Sequence, residues 1–426
     1  MLYLSKIEKN GKIMTEGELR DHIHRFLGSL SEKRKVMAIP PDFTRYHSKA
    51  GAITEMVYTY YGDALTDVLP ALGTHAPMTE GELARMYGSV PLDRFRVHNW
   101  RQDITRLGTV PADVVQKFTE GMVDFDWPAE VNTLLTEGGH DLILSIGQVV
   151  PHEVIGMANY NKNIFVGTGG SECINKSHFI SAVHGIERIL GQADNPVRKL
   201  LNYASEHFAA GMPIIYILTV IGYDSGGNLG VRGLFIGDDH DCFYKAAELS
   251  ARENITLLEK PLDKVVVYLD PDEFKSTWLG NKSIYRTRMA IADGGELIVM
   301  APGVKEFGED SDNDVLIRKY RYPGTERVMK LVDEDPELKE NLGVAAHLIQ
   351  GSSEGRFTIT YCPGHLTREE IEGAHFCYGD LDAMSRRYDP ETLQNGFNTL
   401  PDGEEIYYIS NPALGLWAEK DKIGRI

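Results

Sequence analysis

Short apolar runs typical of buried strands alternate with amphipathic helical segments along the chain. In the first half we predict strands at 35–40, 65–72, 141–146, 214–221 and 234–236, and helices at 16–30, 53–61, 180–190, 195–208 and 242–258. In the second half we predict strands at 265–269, 297–301, 357–361 and 404–410, and helices at 281–292 and between 312 and 349. Strands that alternate with helices imply parallel pairing, so we predict an α/β fold with a mainly parallel sheet, flanked by helices, in each half.

Three shorter patterns add detail to this prediction. The polar run 224–228 predicts a hairpin turn after a strand, and the mixed segment 95–110 predicts a strand pair. Thr79, with Glu82 three residues later, has the form of a capping box that begins a helix.

The length and one proline predict two domains. A chain of 426 residues is too long for one ordinary core. Pro261 interrupts the helical pattern before a new strand begins, so we place the boundary near residue 260. The predicted domains are 1–259 and 260–426, with the active site in the cleft between them.

Polar side chains with useful chemistry follow three of the predicted strands. Asp42, Thr44 and Arg45 follow the first, His75 follows the second, and His152 follows the third. In open α/β sheets, ligands bind at the carboxyl ends of strands. An arginine fork matches a carboxylate, and two imidazoles are able to accept and return a proton on either face of a carbon. Each residue alone is equally typical of an ordinary surface or core position, but their shared location predicts a site.

The segment 150–178 concentrates the reactive groups. His152, Lys162 and His178 supply an acid/base group, an amine and a metal ligand from one piece of chain. The glycines within 167–170 would let the backbone approach a ligand closely. The alternative interpretation is a surface loop with ordinary polar residues.

Charge and composition exclude some classes of function. There are 62 acidic and 44 basic residues, which gives a formal charge of −18 and opposes general binding to nucleic acid or to anionic membranes. An apolar run of about eighteen residues is lacking, and so is a charged-then-apolar leader, so we expect neither a membrane span nor a secretion signal. We therefore expect a cytoplasmic protein.

Two other sets of residues carry weaker signals. The acidic run 237–241 resembles a metal site, but its place before a helix favours a capping role. His365, His375 and Cys377 have loose ligand spacing without a partner pair, so we assign them no metal. The four cysteines are widely spaced and predict reduced structural thiols (Cys173, Cys242, Cys362, Cys377).

Taken together and in order, four motifs resemble the lactate racemase family of nickel-pincer nucleotide enzymes. They are the Asp-Phe-Thr-Arg loop at 42–45, the Gly-Thr-His-Ala-Pro-Met-Thr loop at 73–79, His152 with Lys162 ten residues later, and the Asn-Lys-Ser-His run at 175–178. Residues 294–299 and Lys282 also resemble the family's second domain. Each motif alone is weak, whereas the ordered set is specific.

The resemblance implies a role for each residue. Lys162 would be joined to the pyridinium nucleotide through a thioamide, His178 would be the protein ligand to nickel, and His75 and His152 would be the paired acid/base groups. The remaining predicted contacts are Arg45 to the substrate carboxylate, Lys282 to the reacting hydroxyl, and Asp42 and Thr44 to the cofactor. The chemistry implied is hydride removal from C2 to the cofactor, giving a 2-keto acid that is reduced again on the other face.

Departures from the lactate enzymes bear on the substrate. Phe43 stands where they have a histidine, residues 159–161 replace a Gly-Gly-Arg run, and Trp278 or Leu279 stands where they have a glutamine beside the substrate. Trp278 would instead lie against a sugar-like carbon chain, and the stretch 278–288 is similar to the branch associated with aldonates. We therefore predict a C2 epimerase of a gluconate or mannonate type sugar acid, with a racemase of lactate or malate as the alternative.

Two further hypotheses stay open. A zinc hydrolase would use His75, His152 and His178, with Glu153 as base. A non-catalytic two-domain protein would close on a carboxylate through Arg45. For the epimerase, the expected partners are a small hydroxy acid and the cofactor-synthesis enzymes.

Overall fold

The computed structural model describes residues 1–423. The strands up to residue 258 are β1 (Leu2–Ile7), β2 (Val36–Ile39), β3 (Leu65–Val68), β4 (Ile104–Val110), β5 (Trp127–Asn132), β6 (Leu142–Gln148), β7 (Pro151–His152), β8 (Gly156–Met157), β9 (Ile214–Tyr223), β10 (Leu229–Gly237) and β11 (Ile255–Leu258). The later strands are β12 (Leu262–Tyr268), β13 (Ile291–Ala301), β14 (Thr358–Pro363), β15 (Cys377–Tyr378), β16 (Gly396–Thr399), β17 (Glu405–Ile409) and β18 (Leu416–Glu419).

Helices connect most of these strands. Up to residue 254 they are α1 (Glu16–Ser29), α2 (Ala50–Tyr61), α3 (Glu80–Tyr87), α4 (Ala112–Phe118), α5 (Thr133–Glu137), α6 (Ser171–His184), α7 (Ile186–Ile189), α8 (Pro196–Phe208) and α9 (His240–Asn254). The later helices are α10 (Thr277–Gly280), α11 (Lys282–Thr287), α12 (Ser311–Tyr320), α13 (Thr325–Glu334), α14 (Pro336–Glu340), α15 (Leu342–Gln350), α16 (Arg368–Gly373) and α17 (Leu381–Arg387).

The chain forms two compact units. The first contains residues 1–177 and 190–254, and the second contains residues 178–189 and 255–423. The division falls inside α6, between Ser177 and His178.

The first unit is built on a six-stranded mixed sheet with the order β1-β10-β9-β6-β2-β3. The pairs β9-β6, β6-β2 and β2-β3 are parallel, whereas β10 pairs antiparallel with both β9 and β1. Every residue of β2 and β6 is buried, as expected for parallel strands covered on both faces. One face packs on α1 and α2 through a cluster of buried apolar side chains.

The second unit has its own six-stranded sheet with the order β15-β14-β13-β12-β17-β16. All of its pairs are parallel except β16-β17. Two mainly parallel mixed sheets with flanking helices confirm the predicted α/β class. The predicted hairpin turn and the capping box of Thr79 and Glu82 are also present.

Several predicted elements are wrong, for identifiable reasons. The helix predicted at 242–258 ends at Asn254, because Ile255–Leu258 pairs with Leu416–Glu419 as β11 and β18. The partner of β4 is β5, which lies beyond the segment predicted to hold both strands. The helix predicted from residue 180 begins at Ser171, and β18 follows the strand expected to be the last. In each case, tertiary pairing or packing decided the local structure.

The cysteines are free thiols, as predicted, with Cys377 exposed and the other three buried. Burial raises the pKa of Cys362 to about 12, so that thiol stays protonated and inert. Within residues 1–423, every helix is too short or too polar to cross a bilayer.

Candidate functional site

The carboxyl ends of β2, β3 and β6 bring the predicted loops to one edge of the first sheet. A short 3₁₀ helix, Phe43–Ser48, follows β2 and carries Arg45. The chain after β3 runs beside the end of β2, with the Ala71 amide donating to the Pro40 carbonyl at 2.7 Å. His152 lies four residues after β6, in the small hairpin β7-β8.

Asp42 and His75 form a tight pair at this edge. The Asp42 Oδ2 atom lies 2.5 Å from His75 Nδ1, and Thr44 Oγ1 donates to Asp42 Oδ1 at 2.6 Å. Burial raises the pKa of this carboxyl, but the imidazole, the Thr44 hydroxyl and the Arg45 charge outweigh it and lower the pKa to about 2. Asp42 is therefore ionised at neutral pH and fixes the orientation of the His75 ring. Its stabilising contribution is present above the ordinary carboxyl pKa and is lost as the pH falls towards 2.

Residues 163–167, which follow Lys162 directly, form a buried π-helix across the ends of two strands. The Asn163 side-chain amide lies 3.5 Å from the Ile39 carbonyl and 3.4 Å from the Ile146 carbonyl, at the ends of β2 and β6. The Gly73 amide donates to the Gly167 carbonyl at 2.9 Å, which joins the loop of His75 to this helix. Single π-turns cost stability and occur frequently at functional sites. The backbone of Lys162 is thus anchored beside the Asp42 and His75 pair.

The two residues before Asn161 hold a left-handed backbone conformation. Asn159 has φ 65° and Tyr160 has φ 60°, a conformation that costs about 1–3 kcal/mol for a residue with a large side chain. The Tyr160 amide donates to Asn159 Oδ1 at 2.7 Å, and its ring stacks on Phe243 at 5.3 Å. Packing therefore enforces this turn at Asn159 and Tyr160.

Arg198, on α8, stabilises the same turn through hydrogen bonds. Its guanidinium is fully buried and donates to the Met157 carbonyl at 2.6 Å and to the side-chain oxygen of Asn161. Burial lowers the pKa of Arg198 to about 10, which still leaves the group charged at neutral pH. The sequence pattern does not indicate this role, because Arg198 occupies an ordinary position in a helical pattern.

The interpretation of the segment 150–178 as a surface loop is wrong. All but one of residues 158–170 are buried, Lys162 being partly exposed. The prediction that the glycines within 167–170 let the backbone approach a ligand is also wrong, because protein atoms fill the space beside these glycines. A Cβ atom on Gly169 would lie 1.9 Å from the Phe165 carbonyl oxygen, and one on Gly170 would lie 2.3 Å from Glu130 Oε2. These glycines permit close packing of the segment.

His152 is buried and has a defined hydrogen-bond geometry. The Val154 amide donates to its Nδ1 at 3.1 Å, so the neutral ring carries its proton on Nε2. Arg45 is partly exposed, and its buried Nη1 has no hydrogen-bond partner within residues 1–423. An unpaired guanidinium nitrogen beside the Asp42 and His75 pair suits an anionic group of a ligand.

The remaining predicted site residues belong to the second unit. Lys282 is 5% exposed and lies 5.7 Å from the Phe274 ring, and His178 is partly exposed on α6. Trp278 is partly exposed and stacks on His347 at 4.3 Å. The Tyr285 hydroxyl lies 2.8 Å from Nδ1 of His347, and the Tyr322 hydroxyl lies 2.7 Å from Nε2 of the same ring. These contacts fix the plane of the imidazole and the orientation of the Trp278 indole that stacks on it.

Within the described chain, no three His, Cys, Asp or Glu side chains come together in a way that would hold a metal ion. In the acidic run, Asp238 and Asp239 form ion pairs with the N-terminal amine instead.

His98 supports the segment and was missed by the sequence reasoning. Its Nε2 donates to the Gly169 carbonyl at 3.0 Å, and Asn132 Nδ2 donates to its Nδ1 at 3.1 Å. Burial lowers the pKa of His98 to about 4, so the ring is neutral in the folded protein. Protonation favours the unfolded chain, whose histidines titrate near 6.5.

We therefore expect stability to fall between pH 6.5 and pH 4, by about 3 kcal/mol from His98 alone. The test is the urea midpoint of unfolding, measured at pH about 7 and at pH about 4.5. The decrease in this midpoint between the two pH values should be smaller in His98→Gln than in the wild type. His207, which is exposed, provides the control His207→Gln, whose shift should equal that of the wild type. Equal shifts in all three proteins would contradict this assignment.

Comparisons with known proteins give independent information. The lactate racemase N-terminal domain family matches residues 19–189. A lactate racemase from Thermoanaerobacterium thermosaccharolyticum is 26% identical over 246 residues, which are 55% of this chain and 51% of that protein. The chain thus spans about half the length of the curated relative it matches.

Two solved structures share the fold. A protein from Thermotoga maritima superposes with a TM-score of 0.84 at 24% identity, over 97% of this chain and all of that one. The lactate racemase apoprotein from Thermoanaerobacterium thermosaccharolyticum gives a TM-score of 0.69 at 18% identity, over 96% and 94% of the two chains.

Proposed function

Because residues 19–189 match the lactate racemase N-terminal domain family, we propose that the protein is a nickel-pincer nucleotide-dependent C2 epimerase of a sugar acid. The substrate would be of the gluconate or mannonate type. The observation that carries the proposal is the Asp42–His75 pair, at 2.5 Å, on a loop joined to the segment of Lys162. An imidazole oriented by a buried carboxylate is a strong candidate for a proton acceptor.

In this proposal the two histidines handle the hydroxyl proton. Asp42 holds Nδ1 of His75, which leaves Nε2 of that ring to meet the substrate. The Val154 amide donates to Nδ1 of His152, so the neutral ring would present the proton on its Nε2 to the substrate. His75 would take the hydroxyl proton on one face of C2, and His152 would donate a hydrogen bond from its Nε2 to the substrate oxygen on the other face.

Arg45 and Lys282 would bind the substrate. The unpaired Nη1 of Arg45 supports a contact with the carboxylate, which would fix the acid for reaction. We propose that Lys282 contacts the reacting hydroxyl and that Trp278, held flat against His347, covers the carbon chain.

The cofactor would be held by Lys162 through its amine and by His178 as the protein ligand to nickel. A single imidazole suits a nickel ion whose other donors are the sulfur and carbon atoms of the nucleotide. When bound, the cofactor would accept the hydride that leaves C2 of the substrate. Asp42 and Thr44 would contact the cofactor. Both also belong to the hydrogen-bond network that ends at His75, so we propose that they act on the reaction through that ring as well.

A panel of 2-hydroxy acids tests the substrate class. Protein produced together with the cofactor-synthesis enzymes should invert C2 of six-carbon aldonates with a kcat/KM about 10²-fold above that for lactate or malate, because each missing hydroxyl leaves a polar partner unpaired. A preference for lactate or malate would favour the short-acid racemase. Tight binding of acids without any change at C2 would favour the non-catalytic carboxylate-binding protein.

A further inference from the structure

One buried amide at the edge of the first sheet has no part in the chemistry above. Gln148, the last residue of β6, is 4% exposed, and within residues 1–423 neither its Oε1 nor its Nε2 has a hydrogen-bond partner. A buried amide group without hydrogen bonds destabilises the folded protein, so such a group calls for a ligand. We propose that Gln148 binds the hydroxyl on C3 of the substrate and makes the enzyme specific for 2,3-dihydroxy acids. This inference rests on the proposed C2 epimerase function.

The direction of the Gln148 side chain follows from the strand. Leu142, Leu144 and Ile146 all belong to the apolar cluster between the sheet and helices α1 and α2. The register of β6 with β9 is regular through Gln148, so alternation places its side chain on the same face, beyond the end of that cluster. Ser145 lies on the opposite face.

Arg45 is attached to the same region. Gln148 pairs with Thr219 in the sheet, and Thr219 Oγ1 donates to the Ser48 carbonyl at 3.0 Å. Ser48 ends the 3₁₀ helix that carries Arg45, whose Nη1 is also buried without a partner in the described part of the chain. Two buried, unpaired polar groups therefore come from elements that are bonded to each other.

The two groups complement two polar positions of an aldonate. The guanidinium matches the carboxylate at C1, whereas a neutral amide offers a donor and an acceptor, which suits a hydroxyl and not a second anion. The hydroxyl on C2 is used by His75 and His152 in the proposed reaction. The hydroxyl on C3 is the next one along the chain, so it is the one assigned to Gln148.

The test compares gluconate with 3-deoxygluconate in cofactor-loaded protein. The wild type should favour gluconate by about 10²-fold in kcat/KM, because a buried amide without its partner penalises the deoxy acid. Gln148→Met, which has a similar shape without the amide, should reduce this ratio to within about tenfold by losing activity on gluconate alone. The control Ser145→Ala should keep the wild-type ratio, since that side chain lies on the other face of β6. Gln148→Asn, whose amide is withdrawn by one methylene, should behave like Gln148→Met and decides the question if the Met variant does not fold.

Two outcomes of the inversion assay overturn the assignment. An unchanged ratio in the Gln148 variants would show that the amide does not read the C3 hydroxyl. Equal losses on both acids would show that it serves a group common to both. If the wild type inverts neither acid, the proposed function fails by itself, and calorimetric Kd values for the same two acids decide the inference. Tighter binding of gluconate than of 3-deoxygluconate by the wild type, with equal Kd values in Gln148→Met, would then support the contact. Equal Kd values for the two acids in the wild type would overturn it.

Discussion

Replacing either His75 or His152 with Asn should lower kcat for C2 inversion by about 10²–10⁴-fold, with a much smaller effect on KM. The reason is that each imidazole acts on the substrate oxygen at one face of C2, His75 as the proton acceptor and His152 as a hydrogen-bond donor, so inversion in either direction needs both rings. Asparagine is close to histidine in size and keeps a polar atom near the position of Nδ1. The measurement is the initial rate of inversion in both directions with cofactor-loaded protein.

The chain offers a matched control for this prediction. His140 Nε2 lies 2.8 Å from Asp67 Oδ2, a second histidine–aspartate pair in the same unit but outside the candidate site. His140→Asn should therefore keep the turnover of the wild type. Asp42→Asn should lose activity mainly through His75, so the loss in the double variant of Asp42 and His75 should be smaller than the two single losses combined. Additive losses in that double variant, or full activity in His75→Asn, would contradict the proposed roles.

Lys162→Ala should abolish turnover, because the proposal makes this amine the attachment point of the cofactor. Wild-type protein produced with the cofactor-synthesis enzymes should show an added mass in intact-protein mass spectrometry, and peptide mapping should place it on Lys162. The variant should show the mass of its bare chain.

Lys176 serves as the control for Lys162. It lies on α6 and forms an ion pair with Glu172 at 2.6 Å, so it is committed to another contact. Lys176→Ala should carry the same added mass as the wild type. An adduct on Lys162→Ala, or on a different lysine of the wild type, would show that the cofactor is attached elsewhere.

The periodicity of the sequence was sufficient to predict the fold class and most elements. Apolar runs mark β2, β6 and β9 because these strands are buried on both faces. Periodicity failed where a distant partner decided the structure. Ile255–Leu258 continues a helical pattern but forms a strand because Leu416–Glu419 is available to pair with it.

The candidate site was predictable as a set of loops but not as a set of contacts. Strand ends pointed to Asp42, His75 and His152, yet the bond between Asp42 and His75 joins residues 33 positions apart and depends on how two loops fold. Asn159 is a residue that tolerates a left-handed backbone, whereas Tyr160 adopts one only under the packing around it. The unpaired amide of Gln148 is visible only once its neighbours are placed.

The central claim is that this protein inverts C2 of a sugar acid by removing and returning the same hydrogen. The most direct measurement is the conversion of gluconate in D₂O by cofactor-loaded protein, followed by NMR at C2. The proposal predicts that mannonate appears with its C2 hydrogen retained, because hydride stays within the site while only the hydroxyl proton exchanges. Mannonate fully deuterated at C2, or no inversion of any 2-hydroxy acid tested, would contradict it.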